Sequence, residues 1–163
     1  MSGKSPARKV PRKAARKVAR KGARKGARKV AKKSALPELL RGRTLLASLT
    51  VNDIHTSLEW YTNVVGFMVD EKYEREGILQ AVSMKAGAVR LVMSQDNGAK
   101  GMDRIKGEGF SLQITTAQNV DEIANRIKAA GWTLESEPKD GWGARAFRLK
   151  DPDGFKLVIS SER

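Results

Sequence analysis

Apolar residues along the chain switch between a helical and a strand-like period, and the switches mark out the same series of elements twice. Residues 45–51 read as an apolar strand. Asp53 then caps a helix whose apolar positions Ile54, Leu58, Tyr61, Val64 and Val65 share one side, and Gly66 ends it. Strands are predicted over residues 67–73, 79–85 and 88–94, the last two joined by a tight turn at Ala86-Gly87. A polar, glycine-containing stretch, residues 95–108, separates this unit from the next. There, residues 110–115 predict a strand, residues 120–130 a helix ended by Gly131, and residues 132–136, 144–150 and 155–160 three more strands. The order βαβββ occurs in both halves.

The halves also align residue by residue. At an offset of 65, Gly66-Phe67 falls on Gly131-Trp132 and Leu58 on Ile123; near the end of each half, Gly87 falls on Gly154 at an offset of 67. This is the mark of an internal duplication. The predicted fold class is therefore α+β, with two βαβββ modules, at about residues 44–94 and 109–160, forming a cupped mixed sheet.

Charge divides the chain differently. The whole sequence carries a formal net charge of +14, but residues 1–34 hold 15 lysines and arginines and no acid. Of 32 basic residues that leaves 17 against all 18 acidic ones, so the remainder has a formal net charge of −1. The basicity belongs to an N-terminal arm.

From Ala7 to Ser34 that arm is seven tetrads, ARKV, PRKA, ARKV, ARKG, ARKG, ARKV and AKKS, each with two adjacent cations. Arg8, Lys9, Arg12, Lys13, Arg16, Lys17, Arg20, Lys21, Arg24, Lys25, Arg28, Lys29, Lys32 and Lys33 supply them. A four-residue period drifts about 40° per repeat on an α-helix, so the cations form no single face and no amphipathic membrane helix. Like charges repel, Pro11, Gly22 and Gly26 interrupt helix formation, and little apolar surface offsets the ordering entropy, so the arm is expected to be disordered.

Phosphate contacts with counterion release make DNA or RNA the expected partner, without sequence readout, because the arm has no aromatic group. It resembles the tails of linker histones and of bacterial histone-like proteins. Residues 35–43, with Pro37 and Gly42, read as a linker. The chain has no cysteine, no apolar run long enough to span a membrane and no apolar signal segment. A cytoplasmic location, associated with the nucleoid through the arm, and no membrane partner are expected.

After the linker the chain resembles the vicinal oxygen chelate superfamily, which includes glyoxalases, bleomycin-resistance proteins and extradiol dioxygenases. The resemblance rests on Val51-x-Asp53, Ser57-Leu58-x-Trp60-Tyr61 and Val65-Gly66-Phe67 in the first half. In the second it rests on Ala129-Ala130-Gly131, Trp142-Gly143-x-Arg145 and Asp151-Pro152-Asp153-Gly154. It implies a metal site with one ligand on the first and one on the last strand of each module. Counting to those positions gives Leu46, Leu91, Ser111 and Val158. Three aliphatics and one hydroxyl lack the nitrogen and carboxylate donors of a divalent transition-metal site. His55, the single histidine, reads as an exposed residue at a helix start. No metal, no cofactor and no catalytic residue are therefore expected.

The resemblance then implies a small-molecule binding or sequestering protein of the bleomycin-resistance type, functioning as a homodimer. Trp142 and Arg145 are the leading ligand candidates, since an indole and a guanidinium stack on and pair with an aromatic or anionic molecule. Gln80, Arg90, Met93, Gln113 and Phe147 are further strand candidates, while Trp60 and Tyr61 read as packing residues. The alternatives are a metal-dependent lyase, isomerase or dioxygenase of the same family, and a dimerisation module for a nucleoid-coating arm.

Overall fold

The structure is a computed structural model that describes Leu40 and residues 43–101 and 103–162. The basic tetrads, with the disorder and nucleic-acid contacts expected of them, and most of the linker lie outside the described residues.

In the first module, strand β1 (Ala47–Val51) leads into helix α1 (Ile54–Trp60), which continues as one π-helical turn, Tyr61–Val65. Strands β2 (Met68–Arg75), β3 (Ile78–Ala86) and β4 (Val89–Gln95) follow. The second module repeats the series as β5 (Ser111–Thr116), α2 (Val120–Ala129), β6 (Ser136–Gly141), β7 (Ala144–Lys150) and β8 (Lys156–Ser161). Each module forms its own mixed four-stranded sheet, in the orders β1-β4-β3-β2 and β5-β8-β7-β6. Among the described strands only β1 with β4 and β5 with β8 pair parallel: each helix carries the chain from one edge strand to the opposite edge, and two antiparallel hairpins bring the last strand back beside the first.

Both helix starts are capped as their sequences foretell. The Asp53 carboxylate accepts the amides of His55 and Thr56, and the Asn119 side chain accepts those of Asp121 and Glu122. The end of α1 is less regular. The amides of Gly66 and Phe67 both donate to Tyr61 O, at 3.0 and 2.8 Å, and Gly66 takes a left-handed φ of 98°. Arg126 Nη2, on α2, donates to Val65 O at 2.8 Å and so ties this turn to the second module.

Strand alternation assigns the faces. Leu49, Val51, Val82, Met84, Leu91 and Met93 of the first sheet, and Phe147, Leu149, Leu157 and Ile159 of the second, join α1 and α2 in a single buried cluster. The two sheets therefore turn their apolar faces toward a shared core. Their other faces are open, the first carrying Ser48, Thr50, Arg90 and Val92, the second Ser111, Gln113, Val158 and Arg148.

Polar contacts lock the modules across this core. Tyr61 Oη donates to Asp151 Oδ2 at 3.1 Å, Ser57 Oγ to Asp153 Oδ2 at 3.2 Å, and the Asn52 amide to Asp153 Oδ1 at 3.0 Å. The indole of Trp60 meets that of Trp132 edge-on at 5.3 Å between centroids.

The connection between modules is pinned as well. Lys106 Nζ and Arg104 Nη2 reach Asp96 Oδ2 at 2.8 and 2.9 Å, and Lys106, with the Gly98 amide, holds that carboxyl well below the usual carboxylate range. Gly107 then presses on the β7–β8 turn. With φ at +70°, a Cβ there would stand 2.7 Å from both Gly154 O and Phe155 Cα. Gly107→Ala is expected to cost about 2 kcal/mol, read as a lower denaturant midpoint with unchanged slope.

One predicted strand moves. Residues 132–136 are not the second strand of the second module; β6 begins at Ser136 and runs to Gly141. Trp132 is held off the sheet by its packing on Trp60 and by its Nε1, which donates to Lys150 O at 2.8 Å. Pro138 is tolerated because β6 is an edge strand, irregular in register between Ser136 and Lys139. Similarly, β1 starts at Ala47, leaving Leu45 exposed ahead of it.

Candidate functional site

Two hollows accompany the strands where the family resemblance places chemistry. One, of about 310 Å³, lies between the modules beside β1, β4 and β5. Its walls are apolar: Ala47, Phe67, Leu91, Leu112, Ile114 and Leu157, with the Tyr61 ring among them and Arg90 and Gln113 as its polar members. That composition, an apolar wall with few polar groups, suits a small organic molecule. Arg90 Nη1 donates to Gly87 O at 3.3 Å, which steadies the guanidinium near the cleft. The second hollow, of about 330 Å³, lies on the open face of the second sheet around Ser111, Val158, Arg148 and Lys156.

The structure distributes the sequence candidates widely. Arg90 and Gln113 come together in the apolar cleft. Met93 and Phe147 do not: each is 0% exposed on the helix side of its sheet, within the core. Gln80 is exposed, and its Nε2 reaches only Ile78 O of its own strand, at 3.5 Å.

Arg145 faces α2, where its Nε and Nη2 both donate to the Asp121 carboxylate at 2.7 Å. This forked pair raises the Arg145 pKa and lowers that of Asp121. The guanidinium is spent on joining strand to helix. Trp142 sits at the tip of the β6–β7 hairpin, 95% exposed and in a left-handed backbone with φ of 54°. It lines neither hollow, and its strained backbone gains nothing from packing.

The register also corrects one metal position. In the first sheet Ser48 pairs with Val92 and Ala47 with Leu91; in the second, Gln113 pairs with Val158. Val92, not Leu91, is the open-face counterpart of Val158, whereas Leu91 points into the core. A one-residue offset between the modules moved the count to the wrong face. The corrected set is Leu46, Val92, Ser111 and Val158, still three aliphatics and a hydroxyl. Among the described residues no three His, Cys, Asp or Glu side chains come together. The residues present do not fit the family's metal.

Several lining residues escaped sequence reading. They are Leu112, Leu157 and Phe67 in the cleft and Arg148 and Lys156 in the second hollow. Only knowing which face of β5, β7 and β8 meets the helices separates cleft, core and open-face positions.

Comparison with known proteins agrees with this architecture. Residues 43–159 match the Glyoxalase/Bleomycin resistance protein/Dioxygenase superfamily. Over 126 residues the chain is 29% identical to a probable lactoylglutathione lyase of Vibrio cholerae serotype O1, covering 72% of this chain and 88% of that one. Among solved structures, TioX from Micromonospora sp. ML1 superposes with a TM-score of 0.60 at 19% identity, over 75% of this chain and all of the other. A superfamily member from Sphaerobacter thermophilus DSM 20745 gives 0.62 at 21% identity, over 75% of this chain and 98% of its own. With its duplicated βαβββ modules and this match, the chain belongs to the Glyoxalase/Bleomycin resistance protein/Dioxygenase superfamily.

Proposed function

We propose that this protein binds a small, largely apolar molecule without a metal ion and without transforming it, and that its basic arm holds it on nucleic acid. The observation that carries the reading is the donor set. All four open-face positions where relatives would place metal ligands lack nitrogen and carboxylate groups, while an apolar cleft of about 310 Å³ lies between the modules along the same strands. Tethering a binder along DNA or RNA raises its local concentration there, which suits capture of compounds that act on nucleic acid.

Metal analysis and ligand screening test this together. After dialysis the purified protein is expected to retain no stoichiometric transition metal, and flat apolar compounds are expected to raise its melting temperature. Ala88→Trp, an exposed position lining the cleft, should remove that rise while leaving the fold intact. A stoichiometric metal that survives dialysis would instead favour the lyase-type reading that the 29% relative suggests.

The reading includes a homodimer. Met68 on β2, with Leu45 and Leu46 just ahead of β1, exposes apolar side chains that a second copy would cover. Sedimentation equilibrium is expected to give twice the chain mass, and a monomer at micromolar concentration would exclude it.

A further inference from the structure

The open face of the second sheet shows a reversal of charge. We infer that its hollow is an oxyanion site, which takes a phosphate or carboxylate group where relatives would hold a cation. Strand pairing builds it in rows. Gln113, Val158, Arg148 and Ser136 lie side by side across β5, β8, β7 and β6, and the adjacent row carries Ser111, Lys156 and Lys150. Val158, at a family ligand position, is thus flanked by Arg148 across the strand pair and by Lys156 two residues before it on the same face.

A divalent cation placed beside Ser111 and Val158 would meet two positive side chains and no donor able to offset them. An oxyanion meets the opposite situation. The guanidinium offers a planar fork, the ammonium a point charge, and Ser111 a hydroxyl. Neither Arg148 nor Lys156 has an acidic partner among the described residues. Glu135, the one carboxylate lining the hollow, is engaged by Lys150 Nζ at 3.2 Å.

A second, independent sign comes from the hydroxyls. Ser136 Oγ, which belongs to a residue lining the hollow, is buried and has no hydrogen-bond partner. Ser160 Oγ, on the far side of the Val158 row and outside the hollow's lining, is buried and unpartnered too. Buried polar groups without partners are uncommon, and an acceptor bound in the hollow would satisfy Ser136 Oγ.

The first sheet provides an internal comparison. The positions matching Arg148 and Lys156 there are Ser83 and Arg90, with the acid Glu71 next in the Ser83 row. The paired, unopposed cations belong to the second sheet alone, so the site is not a general property of the duplicated fold.

The arm would also attract anions, so the test must locate the bound group. Amide NMR titrations of the full chain with inorganic phosphate, and separately with succinate, at moderate salt provide this. The amides of Ser136, Lys156 and Val158 are expected to shift saturably with both anions, and which anion binds tighter identifies the group preferred. In Arg148→Gln/Lys156→Gln the apparent Kd at those amides should weaken about tenfold or more, since hydrogen bonds to charged groups are worth that much. The conservative pair Arg148→Lys/Lys156→Arg should bind within a few-fold of the parent. Both residues are exposed, so dispersion of the remaining signals should be preserved. Shifts confined to residues 1–34, linear shifts with either anion, or equal affinity in the Gln pair would overturn the inference. Zinc or nickel shifting the same amides would overturn it equally.

Discussion

Removing residues 1–34 is expected to abolish binding to duplex DNA while leaving the folded domain unchanged. In the full chain, log K should fall linearly with log salt, with a slope approaching about −13 if all cations of the arm engage phosphate. Fewer contacts would make it shallower, but a slope of even half that loses several decades of affinity between low and physiological salt. Residues 35–163 carry a formal net charge of −1 and should show weak binding with little salt dependence. Scrambled DNA sequences should bind alike, because cations without aromatic or groove-fitting groups read phosphate and not bases. The measurement is a salt series by fluorescence anisotropy on both proteins. A truncated protein that retained the affinity and the slope would move the nucleic-acid site onto the folded domain.

The second large effect concerns Asp151, which is 3% exposed where the modules meet. Its carboxylate accepts the Tyr61 hydroxyl at 3.1 Å and the amides of Asp153 and Phe155 at 3.0 and 2.8 Å. Asp151→Ala would leave three donors unpaired, at a cost of about 3 kcal/mol, or a melting temperature lower by about 10 °C. Burial pushes the Asp151 carboxyl up to about 6, with the nearby Asp153 charge adding to it and the Phe155 amide and Tyr61 hydroxyl opposing it.

A folded pKa above the unfolded value of 3.8 means that the protonated form is the one folding favours. Its stabilising contribution is complete below the unfolded pKa and is lost as pH rises through about 6. Stability should therefore increase as pH falls from 7.5 to 5. Asp121 and Asp96, whose pKa values are lowered, begin to withdraw stability only in more acid solution. Asp151→Asn should flatten the rise between pH 7.5 and 5, since the amide does not titrate. Melting curves across that range decide it, and a melting temperature that fell on acidification would refute the assignment.

How far the sequence reached can be judged at single residues. The helix caps at Asp53 and Asn119 have local causes, and alternation within β3, β4 and β8 is strong, so those elements were legible. β6 was not. Its sequence, SEPKDG, has neither strand alternation nor β-branched residues, and pairing with β7 makes it a strand. Trp132 and Leu134 looked more strand-like, yet the indole is drawn to Trp60 in the other module, a contact no local pattern encodes.

Residue types at the counted positions were legible, and the faces they occupy were not. Absence of metal donors could be counted, but a slip of one residue between the modules exchanged Leu91 for Val92. Met93 and Phe147 were chosen as ligand contacts and lie in the core, because a strand's period is visible in sequence while its phase is set by the helix that covers it. Arg145 looked like a ligand group until its distance to Asp121 was known. Arg148 and Lys156, three and eleven residues away in the chain, carried no signal until β7 and β8 set them around Val158.

The π-helical turn at Tyr61–Val65 bears on the history of the chain. From its cap at Asp53 to Gly66, the first helical segment is one residue longer than its copy from Asn119 to Gly131, so the buried counterpart of Ile123 is Ser57 and not Leu58. A turn closed by an i→i+5 hydrogen bond holds one residue more than an α-turn, so the surplus is absorbed locally and the strands beyond keep their places. A one-residue difference in length between the halves is thus taken up while the Tyr61 hydroxyl stays on Asp151. Such a turn acts as an expansion joint, letting twin halves diverge in length, and then in purpose, while the seam between them stays closed.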